Sequence, residues 1–150
     1  MNHLYQLIVT NTEKIRITAE TIRKGDLGGL FANEQIEFED LMAAEGAILL
    51  DVRAVPEWES LQLRLEHHLR VLWIPTHEVP DRLDEIPRDR VVGVFCTNGP
   101  RSAMVYLYLR SHGYEQVRIA PSNYEAITSL LLPGKLLKHL KTRDAAGQED

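Results

Sequence analysis

Short apolar runs alternate with longer amphipathic stretches through most of the chain. Four runs have the length of strands: AILLDV (47–52), RVLWI (70–74), VVGVF (91–95) and QVRIA (116–120). The stretches after them are typical of helices: PEWESLQLRLE (56–66), VPDRLDEI (79–86), RSAMVYLYLRSH (101–112) and NYEAITSLLL (123–132). AILLDV and VVGVF are apolar without alternation, as expected of central strands covered on both faces. The pattern predicts an α/β domain with an open, mostly parallel sheet.

The two ends of the chain differ from this central part. Residues 1–33 contain two short β-like runs, HLYQLIV and KIRITAETI, and then a glycine-rich loop. We expect an N-terminal β-hairpin or arm here, which is a candidate element for homodimer formation. The α/β domain is predicted over residues 34–132. Residues 133–150 are predicted to form a helical turn or two and a polar tail.

Composition narrows the function classes. A chain of 150 residues with 44% hydrophobic and 26% charged residues fits one globular domain. The net charge of −5 argues against a general affinity for nucleic acid or anionic membranes. We find neither the basic and then apolar profile of a signal peptide nor an apolar run near the roughly 18–20 residues of a membrane span. With a single cysteine and no internal disulfide, the expected compartment is the cytoplasm.

That single cysteine, Cys96, stands where the run VVGVF meets a predicted helix. In an open parallel sheet, ligands bind beyond the carboxyl ends of the strands. A helix that begins near Ser102 offers unpaired N–H groups, and Gly99 allows the preceding loop to curl its amides inward. Arg101 adds a fixed cation, whereas Pro100 provides no N–H. The corner is therefore predicted to favour a nucleophilic thiolate and to bind a negatively charged group.

The residues at this corner resemble a known family. CTNGPRS (96–102) is similar to the active-site loop of rhodanese-like sulfurtransferases, in which Cys-x-x-Gly-x-Arg lies between a central strand and a helix. Residues 36–59 resemble the family's opening helix and its Asp-x-Arg strand end with a following Glu and aromatic, here Asp51, Arg53, Glu57 and Trp58. Residues 108–127 follow its Gly-Tyr segment. The resemblance implies the single-domain rhodanese-like fold, with helices on both faces of the sheet.

The resemblance also implies a reaction. Cys96 would take a sulfane sulfur from thiosulfate or a persulfide donor, hold it as a persulfide, and pass it to a thiophilic acceptor such as a thiol or a sulfur-carrier protein. Arg101 would hold the oxyanion of the donor. Asp51 and Arg53 are expected to form a structural ion pair or loop clamp. The substrate-binding loop would consist of Thr97, Asn98, Gly99, Pro100 and Ser102. No cofactor is expected, and no metal, because the six histidines lack ligand spacing.

Some positions depart from the family pattern. Thiosulfate-specific members often carry Arg directly after the cysteine, where Thr97 stands here. Ser122 and Asn123 replace the glycine pair that usually follows the last strand, which predicts a narrower and more polar wall opposite the loop. These departures concern the donor and the acceptor more than the reaction itself.

Two other function classes stay open. Phosphatases and arsenate reductases related to this fold have five residues between Cys and Arg, and here there are four. No obvious aspartate follows to act as the general acid that a phosphatase usually needs. The third class is a non-catalytic binding module, in which the N-terminal arm or the KLLKHLK tail docks a partner.

Overall fold

A computed structural model of the chain describes residues 31–65 and 68–130. Within these residues, four strands form one sheet: β1 (Ile48–Asp51), β2 (Arg70–Trp73), β3 (Val92–Phe95) and β4 (Val117–Ile119). Their order is β2-β1-β3-β4, and all neighbours are parallel. In this register Asp51 lies beside Phe95, so the residues that follow β1 and β3 emerge together at the carboxyl edge of the sheet. The predicted α/β class with a parallel sheet is confirmed.

Helices cover both faces of this sheet, as the strand pattern predicted. They are α1 (Phe38–Ala43), α2 (Val55–Ser60), α3 (Pro100–Ser111) and α4 (Tyr124–Leu130). One apolar layer joins Val94 of β3 to Val105 and Leu109 of α3. The other joins Phe95 of β3 to Leu41 of α1 and Ile127 of α4. Because β1 and β3 are buried along their whole length, their continuous apolar character follows from contacts on both sides.

Two predicted helices differ from the structure. The helix predicted over residues 56–66 ends at Ser60, because Leu61 is extended and its carbonyl accepts a hydrogen bond from Arg53 Nη2 at 2.8 Å. In place of one helix over residues 79–86, the chain forms two 3-10 helices, Thr76–Asp81 and Leu83–Glu85. Pro80 lies inside the first and has no N–H to donate. A third 3-10 helix, Ala32–Glu34, precedes α1.

The ends of the chain lie outside this description. The predicted N-terminal arm falls almost wholly before residue 31, and the predicted tail follows residue 130, so both stay predictions, as do the domain boundaries. Within residues 31–65 and 68–130, we find no helix with the length and apolar character that a bilayer crossing requires.

Candidate active site

Cys96 directly follows β3, and its side chain is fully buried at the N-terminus of α3. The backbone N–H groups of Gly99 and Ser102 point at Sγ, with N–S distances of 3.1 and 3.3 Å. The Ser102 hydroxyl oxygen lies 3.5 Å from the same sulfur, and Asn98 Oδ1 lies 3.7 Å away. Two amide donors and the positive end of a twelve-residue helix therefore face the sulfur, an arrangement that stabilises negative charge on it.

Gly99 gives the loop its shape. Its φ of 80° and ψ of −50° are a backbone conformation that residues with a Cβ rarely adopt. This conformation turns the Gly99 N–H toward Sγ and makes Gly99 the N-cap of α3. Pro100 begins the helix, two residues before the predicted start at Ser102. A Cβ on Gly99 would lie 3.6 Å from Ser122 Oγ, so Ser122 stands opposite the loop, as its place after the last strand suggested.

Arg101 is engaged by a carboxylate from another helix. Its Nη1 and Nη2 atoms donate to Glu57 Oε2 and Oε1 of α2, at 2.5 and 2.8 Å. The Thr97 hydroxyl donates to Glu57 Oε1 at 2.7 Å and accepts from Arg101 Nη2 at 3.1 Å. The backbone N–H of Ala54 completes the set by donating to Glu57 Oε2 at 3.0 Å. The side chains of Arg101 and Glu57 are 25% and 31% exposed, so the pair lies at the surface of the site.

This network shifts the ionisation of Glu57. Hydrogen bonds from the Arg101 guanidinium lower the pKa of Glu57 to about 2, and those from Thr97 and the Ala54 amide act in the same direction. The carboxylate therefore stays ionised at neutral pH and balances the charge of Arg101. The sequence placed Arg101 beside the loop, but Glu57 was named only as part of the Asp-x-Arg motif. The position of Glu57 in that motif was the sequence signal that could have indicated its place in the site.

Asp51 and Arg53 form a buried ion pair below this network. Arg53 Nε and Nη2 donate to Asp51 Oδ1 and Oδ2 at 2.9 and 2.7 Å, and both side chains are 0% exposed. Arg53 also donates to the hydroxyl of Tyr124 at 2.7 Å and to the carbonyl of Leu61 at 2.8 Å. The pair thus joins the end of β1 to the start of α4 and to the segment after α2, as a structural clamp would.

Trp58 and Trp73 pack beside this clamp. Their rings stack with centroids 4.2 Å apart, and Trp73 Nε1 donates to the Arg53 carbonyl at 3.0 Å. The aromatic pair therefore fixes α2, the helix that carries Glu57, against β2.

A groove of about 560 Å³ adjoins the site between α3 and the first 3-10 turn after β2. Its wall contains Arg101, and its other side chains are mostly apolar: Val52, Val79, Pro80, Met104, Val105 and Tyr108. Val52, Val79 and Val105 belong to the same buried cluster as Cys96. Sequence reasoning did not predict this groove, because its walls come from three separate segments. Nowhere in residues 31–65 and 68–130 do three or more His, Cys, Asp or Glu side chains gather as metal ligands would.

The chain is thus a parallel α/β domain in which two backbone amides face a buried cysteine sulfur at the carboxyl edge of the sheet. Residues 34–129 match the rhodanese-like domain, and the chain belongs to this family. It is similar to a sulfurtransferase from Allochromatium vinosum, with 34% identity over 77 residues, which are 51% of this chain and 67% of the relative.

Two other similar proteins are much longer than the chain, which covers about a fifth of their length. A tRNA sulfurtransferase from Psychromonas ingrahamii is 27% identical over 108 residues, which cover 71% of this chain and 22% of the relative. Among solved structures, an NAD-dependent persulfide reductase from A. fulgidus is 33% identical, with a TM-score of 0.51, over 72% of this chain and 17% of that one. A rhodanese-related protein from Thermoplasma volcanium is 23% identical, with a TM-score of 0.51, over 64% and 92% of the two chains, which supports the fold alone.

Proposed function

We propose that this protein is a sulfurtransferase that carries sulfane sulfur as a Cys96 persulfide. The proposal rests on one observation: Cys96 Sγ accepts hydrogen bonds from the backbone N–H groups of Gly99 and Ser102. These donors stabilise negative charge on Sγ before the reaction, and the same loop is suited to hold the charge of a persulfide afterwards. Membership of the rhodanese-like family and similarity to a sulfurtransferase support this reaction.

The reaction would proceed in two displacements. The Cys96 thiolate attacks the outer sulfur of a persulfide or of thiosulfate, and a new S–S bond forms as the donor's own S–S bond breaks. The electron pair leaves with the donor's thiolate or with sulfite. An acceptor thiolate, free or on a carrier protein, then attacks the outer sulfur of the Cys96 persulfide and regenerates the Cys96 thiolate. Division of one transfer into two lets a single site serve different donors and acceptors.

A cytoplasmic location belongs to this proposal, because a lone thiol stays reduced in that compartment. A small sulfur-containing donor and a thiol acceptor are the partners that such chemistry needs. Dimerisation through the N-terminal arm stays a prediction.

Intact mass tests the proposal directly. The purified protein is exposed briefly to thiosulfate or to a low-molecular-weight persulfide, and then to cyanide. We expect a gain of one sulfur atom that cyanide removes, and no gain in the Cys96→Ser variant, which is of similar size and should fold. Absence of loading with both donors would contradict the proposal and favour a non-catalytic binding module. Turnover of a phosphate ester without sulfur loading would favour the phosphatase class.

A further inference from the structure

The Glu57–Arg101 pair limits which sulfur donors the site can bind, because it sets the charge beside Cys96. A guanidinium beside a reactive sulfur would attract a dianion such as thiosulfate. Here both carboxylate oxygens of Glu57 accept hydrogen bonds from that guanidinium, and Thr97 bridges the two side chains. The net charge that this corner presents to an incoming donor is therefore close to zero rather than positive.

We propose that Glu57 determines donor specificity: by holding Arg101, it favours weakly charged organic persulfides over thiosulfate. This inference rests on the proposed sulfur transfer through Cys96. Glu57 acts as a positioning residue, because its contacts are with Arg101, Thr97 and the Ala54 amide rather than with the reacting sulfur.

The charges of the two donors explain the selection. Thiosulfate is a dianion whose charge is shared by its three oxygens and its terminal sulfur, and the Glu57 carboxylate repels it nearly as strongly as Arg101 attracts it. The persulfide group of an organic donor carries at most one charge, and that charge lies on the terminal sulfur, next to the loop amides of Gly99 and Ser102. The carboxylate therefore disfavours thiosulfate much more than it disfavours the persulfide.

Glu57 is also held too firmly to move aside for an anion. Four hydrogen bonds reach its carboxylate: two from Arg101, one from the Thr97 hydroxyl and one from the Ala54 backbone. A donor that used Arg101 directly would have to replace two of these bonds, both between charged groups. The cost falls on thiosulfate alone, because the persulfide does not need the guanidinium.

The groove beside Arg101 is a second observation in favour of an organic donor. Its walls are mostly apolar, and Met104 in them is 57% exposed. An apolar wall suits the carbon body of an organic persulfide and disfavours a hydrated sulfonate. Arg101 is the one permanently charged side chain among the groove residues that the structure describes.

The test compares thiosulfate with a simple alkyl persulfide, which has no charged group besides the persulfide itself, in a Glu57→Gln variant with cyanide as acceptor. Glutamine keeps the size of the side chain and one acceptor for Arg101, but it removes the negative charge. We expect the ratio of kcat/KM for thiosulfate to kcat/KM for the persulfide to rise about 10-fold, mainly through a lower KM for thiosulfate. Glu85→Gln is the matched control, because Glu85 pairs in the same bidentate way with Arg82 on a 3-10 turn. Its ratio should match that of the wild type.

The outcomes separate the inference from the function on which it depends. An unchanged ratio in Glu57→Gln, or equal losses with both donors, overturns the inference and leaves Glu57 a merely structural residue. Failure of the wild type to load sulfur from either donor overturns the proposed function instead. If Glu57→Gln does not fold, competition in the wild type decides. Sulfate that blocks persulfide loading at low millimolar concentration contradicts a neutralised Arg101, and the absence of such competition supports it.

Discussion

The variant Gly99→Ala should have two distinct effects, one on the shape of the cysteine loop and one on the stability of the fold. In Gly99→Ala the new Cβ would lie 3.6 Å from Ser122 Oγ, which is ordinary contact, so steric overlap does not oppose the substitution. Backbone conformation does, because a φ of 80° with a ψ of −50° is strained for any residue with a Cβ. We expect the loop to relax and the residue 99 N–H to turn away from the sulfur.

The expected effect on Cys96 follows from one lost hydrogen bond. The Gly99 N–H lies 3.1 Å from Sγ, and a hydrogen bond to a charged group contributes about 1.5–3 kcal/mol. Loss of this donor disfavours the thiolate, although the Ser102 N–H at 3.3 Å compensates in part. The rate constant of Cys96 alkylation by iodoacetamide at pH 7 should therefore fall about 10-fold.

Gly113→Ala is the control, because Gly113 has a φ of 84° and lies at the other end of α3. Both variants should lose about 1–2 kcal/mol of stability from the strained backbone. Only Gly99→Ala should slow the alkylation of Cys96. Gly113→Ala shows whether the effect is local to the loop or a result of lower stability. Equal alkylation rates in Gly99→Ala and Gly113→Ala would refute the role of the loop amides.

Two further predictions concern the ion pairs. Asp51→Asn leaves Arg53 buried without a charged partner, and the free energy of unfolding should fall by about 3–5 kcal/mol, a drop of roughly 10–20 °C in Tm. Asp89→Asn, at an exposed pair with Arg90, should change Tm little, and equal losses in a thermal scan would contradict a structural clamp. For Glu57, the folded pKa of about 2 lies below the ordinary value of 4.5, so its stabilisation is present above pH 4.5 and is lost as pH falls toward 2. The urea midpoint of the wild type should fall over that window more than that of Glu57→Gln, and parallel curves would exclude the pair as the cause.

The strands could be predicted from the sequence, because the burial of each strand is visible in its own run of apolar residues. Ile48–Asp51 and Val92–Phe95 are buried along their length, and continuous burial leaves a continuous apolar pattern in the sequence. The end of α2 was not predictable in this way. The apolar spacing continues past Ser60, but Arg53 binds the Leu61 carbonyl and keeps the chain extended. A tertiary hydrogen bond overrides the local pattern there, and local periodicity contains no trace of it.

The candidate site likewise has one part that the sequence predicted and one part that it did not predict. Cys96, Gly99 and Ser102 lie within seven residues of one another, so their spacing alone predicted an amide-lined sulfur. Arg101 and Glu57 are 44 residues apart, and nothing in the loop indicates that the guanidinium is already engaged. The expectation that Arg101 holds the oxyanion of the donor was implied by the resemblance to the family, and it stays a prediction. The structure adds that Arg101 lies in a network with Glu57 and Thr97.

The groups that hold the sulfur and the groups that set the charge beside it come from different segments of the chain. The loop from Cys96 to Ser102 supplies the groups that hold a sulfur, and they are backbone amides that most substitutions leave in place. The charge near that sulfur depends on α2, because Glu57 is positioned by its own helix and by the stacked Trp58 and Trp73. If Glu57 sets donor specificity as proposed, donor preference changes through one substitution on α2 while the cysteine loop stays the same. The loop motif then predicts the sulfur transfer, and the helix that carries Glu57 determines the preferred donor.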